Sequence, residues 1–413
     1  MEKVFSTKDY RKVIKYRKKN IPAEVRLSLK KTKLNEMYNY SSRVLKYDVF
    51  GRISDESYYS DKGKPVENEL GYATVSYIYN DAKSEILTQY LGADGKLKDN
   101  GFFPYAIEKE RYNTAGKITE RSFYDSKRIP AKGVFDYCTK KINYDKQGRV
   151  TRKSYYCGKG RLLNTSEGFA YKEYKYDVKD RVITETFFNS AGDKINIKRG
   201  YAVKVLKYDQ QNRLIEKHYF DRNGKPIESL TNYSSIKFAY NDTEHYREES
   251  FYDAKNKPAM IYNDYFKRRE YINANKQIIE ERFFDIDSSW KRAIKHKYNN
   301  SNQKIQTDYS VVIDGKKHKY ATVKLKYNPQ GLLGEESYYD KAGRLTENTQ
   351  GYSICRRKYN NAGLLTEESF LGKNKKPKNN KYGFAFEKII YDESFRIKHT
   401  EFYDEKNRQM DRP

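Results

Sequence analysis

The sequence predicts an all-β fold: an elongated tandem-repeat array of antiparallel β-hairpins, about 12 units of about 32 residues each, forming an open twisted sheet or solenoid. Three observations predict it. A tyrosine anchoring a strand end recurs at Tyr47, Tyr79, Tyr112, Tyr144, Tyr176, Tyr208, Tyr240, Tyr271, Tyr298, Tyr327, Tyr359 and Tyr391, with spacings of 32, 33, 32, 32, 32, 32, 31, 27, 29, 32 and 32. Each unit carries two turn sequences 12 residues apart, as from Asp209 to Asp221. Between turns, side chains alternate in character with the period of 2 that a strand imposes. A period held over twelve units marks a repeat architecture, in which each unit hides its apolar face by stacking on its neighbours.

Residues 1–40 fit the period poorly and read as a degenerate N-terminal cap, with Lys15-Tyr16 lying 31 residues before Tyr47. The alternative is a short basic helix from Lys8 to Lys19, stopped before Pro22. Residues 41–413 form the repeat domain, with irregular units over 271–326. Its first turn is typified by Asp48-Val49-Phe50-Gly51-Arg52. The Asp bonds back to the backbone, and Gly51 supplies the positive φ that closes a bulged hairpin. Where Gly is missing, Asn212, Asn256, Asn275 or Asn407 takes the position. Pro65, Pro226, Pro258 and Pro377 follow the second turn, where the start of a third strand tolerates a missing N–H.

Counting back from each anchor tyrosine, even positions are small or apolar, as in Ala73, Val75 and Tyr77, and predict the packed face. Odd positions are mostly basic. Three before the anchor stand Lys109, Lys141, Lys237, Arg268, Lys295, Lys324, Arg356 and Lys388, which predict a cationic ladder on one surface. The second strand answers with acid: Lys109 is expected to face Glu120, Lys324 to face Glu335 or Glu336, and Arg356 to face Glu367 or Glu368. That strand ends in an aromatic pair, such as Tyr58-Tyr59, Phe123-Tyr124 or Phe251-Tyr252, whose members must point to opposite faces. The irregular segment holds the only tryptophan, Trp290, a candidate special site.

Lys+Arg 83 against Asp+Glu 56 gives a net charge of +27, which favours acidic partners. Three cysteines, Cys138, Cys157 and Cys355, imply no disulfide framework and no zinc site. No stretch approaches the ~18 apolar residues of a membrane span. The N-terminus lacks the apolar run of a secretory leader. Residence is left open between a secreted or cell-surface location, if a leader was removed, and the cytoplasm.

The run Tyr-x-Tyr-Asp-x-x-Gly-Arg-Leu/Ile/Val, seen in variants around Tyr47, Tyr112, Tyr144 and Tyr208, resembles the YD repeats of the bacterial RHS family. The Gly-Lys-rich aromatic hairpins resemble MORN-type repeats. The resemblance covers residues 40–413 and implies a bacterial, non-catalytic β-hairpin array.

Catalytic and cofactor motifs are absent, so no enzyme activity and no cofactor are expected. The histidines are scattered, and Asp285-x-Asp287-x-Ser289 lacks the mid-loop Gly and closing Glu of a calcium loop. The function expected is a binding scaffold whose cationic, tyrosine-rich face engages an acidic macromolecule, an anionic glycan or an acidic protein. A nucleic-acid-binding repeat protein, with tyrosines as stacking platforms, and a spacer without ligand are the alternatives.

Overall fold

The computed structural model describes residues 2–6, 10–18, 21–29, 40–99, 104–133, 136–158, 160–310, 320–391 and 397–410. Among them are 29 β-strands, one three-residue 3-10 turn at Asp81–Lys83 and no α-helix. The chain divides into two compact units, Met1–Lys207 with His218–Ser229, and Tyr208–Lys217 with Leu230–Pro413.

In the first unit the strands pair antiparallel in chain order: Ser42–Tyr47 with Ile53–Tyr59, that strand with Thr74–Asn80, and that with Glu85–Leu91. Turn chemistry fixes each hairpin. Asp48 Oδ1 accepts from the backbone N–H groups of Phe50 and Arg52 at 2.9 Å each, and Gly51 sits at φ 82°. A bulge follows at the anchor, where Lys46 pairs with Asp55 but Tyr47 pairs with Ile53.

The segment Tyr10–Lys18 is a strand, paired on both sides with Glu2–Ser6 and Ile21–Leu29, and the alternative of a helix over Lys8–Lys19 is corrected. Val13 and Ile14 suit a pleated surface better than a helix, and the flanking strands supply backbone partners. Lys8, Asp9 and Lys19 lie outside the described residues, so the correction rests on Tyr10–Lys18. The expected third strand shrinks to single bridges such as Tyr59↔Pro65 and Phe220↔Pro226. Proline has no N–H with which to carry a ladder further.

The core is a row of rings on the even-parity face. In the first unit it runs Tyr40, Tyr58, Tyr72, Tyr90, Tyr105, Phe123, Tyr137, Tyr155, Phe169, Phe187, Tyr201 and Tyr219. Centroids alternate between close and wide, as in Tyr105–Phe123 at 4.6 Å and Phe123–Tyr137 at 6.2 Å. The close contact lies within a hairpin and the wide one joins it to the next. Beside each entering ring the backbone needs a small residue, and Ala73, Ala106, Ala170 and Ala202 are 0% exposed there.

The second unit repeats the plan with Tyr233, Phe251, Tyr265 and Phe283, and again from Tyr309 through Tyr320, Tyr338, Tyr352, Phe370, Phe384 and Phe402. Between the two runs the chain passes from Ile278–Phe284 to Trp290–Tyr298 through one short turn, and the Arg292 guanidinium stands 3.8 Å over the Phe283 ring. The shortened spacing in the sequence is the loss of the turn that elsewhere brings in the next ring.

The repeating motif also joins neighbouring hairpins. The anchor hydroxyl of Tyr144 donates to the Ile118 carbonyl at 2.8 Å, that of Tyr240 to Leu214 at 2.9 Å, and that of Tyr359 to Leu333 at 2.8 Å. The turn arginine completes the link. Arg149 bonds Asp145 of its own turn and Asp180 of the next, both at 2.7 Å, while lying 4.9 Å over the Tyr176 ring.

One expectation about cysteine fails. Cys138 and Cys157, 19 residues apart, form a disulfide with Cα atoms 4.7 Å apart. The hairpin brings together two positions that spacing alone does not relate. Cys355 is buried and free.

Candidate functional site

The odd-parity face carries the second ring of each aromatic pair, and the ladder cations lie over those rings. Lys109 stands 5.6 Å from the Tyr124 centroid, Lys141 5.1 Å from Tyr156, Lys237 4.4 Å from Tyr252, Lys324 4.8 Å from Tyr339 and Lys388 5.1 Å from Tyr403. Backbone register explains the geometry. Lys109 pairs with Ser122 and Lys141 with Ser154, so the aromatic two residues beyond each small serine points to the same face and meets the amine.

The expected cross-strand pairs are corrected by the observed register, to which the bulge at the anchor adds one residue. Within the hairpin Lys109 faces Ser122 rather than Glu120, Lys324 faces Ser337 rather than Glu335 or Glu336, and Arg356 faces Ser369 rather than Glu367 or Glu368. The acid instead bridges two hairpins. Glu335 holds Lys326 of its own hairpin at 2.7 Å and Arg356 of the next at 2.8 Å. Glu120 stands between Arg111 at 3.6 Å and Lys141 at 3.7 Å. Flanked by Lys326 and Arg356, the Glu335 carboxyl lies below its ordinary pKa even though burial opposes the shift.

Arg268 does not belong to the ladder. In that repeat the bulge lies between Tyr271 and Ile272, so Ile272 takes the anchor position and Arg268 falls on the packed face. There it meets Glu249 at 2.9 Å, Glu270 at 3.0 Å and Glu281 at 3.5 Å. Arg269, over Phe284 at 5.5 Å, occupies the rung. Lys295 has Glu280 at 3.9 Å, and Arg356 has Glu335 with Leu371 where a ring would stand. Trp290 is 55% exposed and opposes Phe284 across the strand pair.

The packed face holds ion pairs that the apolar pattern did not announce. Arg121 binds Glu108 and Glu110, and Arg357 binds Glu368 at 2.7 Å. Burial raises the pKa of Glu108 and of Glu249, against the pull of Arg121 and Arg268. Charged side chains share the packed face with the rings here, a mixture that parity cannot resolve. Among the described residues no group of three His, Cys, Asp or Glu is placed to hold a metal ion, and no helix is long and apolar enough to cross a membrane.

No family model matches the chain, and no curated protein matches it. Among solved structures it is similar to the crystal structure of TcdB2-TccC3-Cdc42, at 10% identity over 95% of this chain and 21% of that one, with a TM-score of 0.28. It is similar to TcdB2-TccC3 at 10% identity over 98% of this chain and 26% of that one, with a TM-score of 0.26. A Photorhabdus luminescens Tc holotoxin pore is matched at 9% identity over 96% of this chain and 23% of that one, with a TM-score of 0.26. The chain thus spans about a fifth to a quarter of the length of these relatives.

Proposed function

We propose that this protein is a non-catalytic repeat scaffold whose ladder face binds an acidic macromolecule. The observation that carries the reading is the seating of Lys109, Lys237 and Lys324 over aromatic rings. A ring holds a cation by its quadrupole, about 0.5–1 kcal/mol at an exposed site, and leaves the full positive charge directed at whatever approaches. A carboxylate would cancel it. Consecutive rungs such as Lys109 and Lys141 lie two strands apart, about 10 Å at the usual strand spacing. That exceeds the ~8 Å Debye length at physiological salt, so self-repulsion is modest while a long polyanion gains from several rungs at once. The net charge of +27 adds attraction at longer range.

Retention on heparin and on single-stranded DNA resins tests the reading. Salt-sensitive retention on heparin, reduced by Lys237→Gln, Lys324→Gln and Lys388→Gln together, is expected. A marked preference for DNA favours a nucleic-acid-binding protein instead, and no retention on either leaves a spacer.

A further inference from the structure

One repeat departs from the others twice, and the two departures meet. Six residues before the anchor six repeats place an alanine in the core (Ala73, Ala106, Ala170, Ala202, Ala321 and Ala385) and two a buried serine (Ser234 and Ser353), whereas this one has Cys138. In its second turn the capping Asp of other repeats, such as Asp125 accepting from the Ile129 N–H at 2.8 Å, gives way to Cys157. There Cys157 leads into a turn in which the Arg161 N–H donates to the Gly158 carbonyl at 3.0 Å. The disulfide ties these two positions together.

Beside it, on the ladder face, is a cavity of about 290 Å³ lined by Arg111, Glu120, Tyr124, Thr139, Lys141 and Tyr156 as well as the disulfide. We propose that this cavity binds one carboxylated sugar, a hexuronate residue of an acidic polysaccharide. The proposal rests on the polyanion reading above and assigns it a specific subsite. Arg111 Nη1 and Lys141 Nζ stand 3.6 and 3.7 Å from Glu120, beyond the ~2.7–2.9 Å of a charge-assisted hydrogen bond, so with Arg111 Nε already donating to Glu85 at 3.0 Å the Arg111 Nη groups and the Lys141 amine retain donors for a further anion. Glu120 in turn accepts only from donors. A carboxylate flanked by sugar hydroxyls matches both requirements, the carboxylate taking the cations and a hydroxyl donating to Glu120, whereas a phosphodiester has no donor to offer Glu120. Tyr124 and Tyr156 offer ring surface to the C–H face of a pyranose, and the volume sits at the small end of the ~300–1,000 Å³ usual for ligand pockets, room for one ring.

Calorimetric titration of the full chain with trigalacturonate tests this, with maltotriose and thymidylate trinucleotide as controls. Saturable 1:1 uptake of trigalacturonate alone is expected. It should weaken about tenfold or more in Lys141→Gln or Arg111→Gln, as the loss of a hydrogen bond to a charged group predicts, and stay unchanged in Lys255→Gln, which does not line the cavity. The double variant Cys138→Ala, Cys157→Ser restores residues of the types found in other repeats and should weaken uptake as well. Absence of 1:1 uptake, equal binding by folded cavity variants, or tighter binding of the trinucleotide overturns the subsite. Heparin retention separates the two readings: retention without 1:1 uptake overturns the cavity alone, and loss of both overturns the scaffold reading with it.

Discussion

Replacing Phe123 by alanine removes a ring that is 4% exposed and stands 4.6 Å from Tyr105 and 6.2 Å from Tyr137. Transfer and cavity terms for Phe→Ala in a core total about 3–5 kcal/mol. The two ring contacts account for about 1–3 kcal/mol of that, at ~0.5–1.5 kcal/mol each. Gly133 provides a second handle, because a Cβ built there would meet the Phe123 ring at 3.0 Å. Gly133→Ala alone should therefore cost about 1–3 kcal/mol by overpacking. With alanine at 123 the added methyl has room, and the double variant should be about 1–3 kcal/mol more stable than the sum of the single effects. Urea unfolding followed by far-UV circular dichroism reads all three. A Phe123→Ala cost below about 1 kcal/mol would refute the ring row as the core, since Phe→Ala in a true core costs about 3–5 kcal/mol. A strictly additive Gly133→Ala effect would also refute it.

Two further outcomes follow from the turns and links. Tyr144→Phe removes the hydroxyl that donates to the Ile118 carbonyl of the preceding hairpin, and should lower stability by about 1 kcal/mol in urea unfolding. The turn aspartates set the acid limit: the Arg181 hydrogen bond holds the Asp177 carboxyl below its ordinary pKa, and the backbone N–H groups of Arg344 and Arg408 do the same for Asp340 and Asp404. A depressed folded pKa means that the unfolded chain takes up protons first, near its ordinary ~3.9. Stability from these groups is therefore present above about pH 4 and lost as pH falls through the folded values. The thermal midpoint should hold between pH 7 and pH 5 and drop below about pH 4, with a smaller drop in Asp177→Asn.

The hairpins were legible because turn chemistry is local. Asp48 and Gly51 alone are enough to place a bulged turn, and alternation along Ala73, Val75 and Tyr77 is enough to say which face packs. Register was less so: Lys109 faces Ser122 rather than Glu120, one residue of that difference comes from the bulge at Tyr112, and nothing in the spacing announces which anchors carry a bulge. The same shift, by one residue at Tyr271, put Arg268 on the wrong face. The disulfide and the Arg121 and Arg357 ion pairs depend on which positions stand across from one another, so they follow only once register is known. The break over residues 271–326 was visible as short spacing, but its meaning, a missing ring-bearing turn capped by Arg292, required the fold.

The most direct test of the account is the salt dependence of heparin affinity for the wild-type chain and for a variant with Lys109, Lys141, Lys237, Lys324 and Lys388 all changed to glutamine, both confirmed as folded. If each rung releases about 0.7–0.9 counterion per contact, as for nucleic-acid phosphates, losing three or four contacts should flatten the log–log slope by about 2–4. Affinity at physiological salt should fall with it. An unchanged slope and affinity in the folded variant would contradict the ladder as the binding face and leave these lysines as a solvated surface.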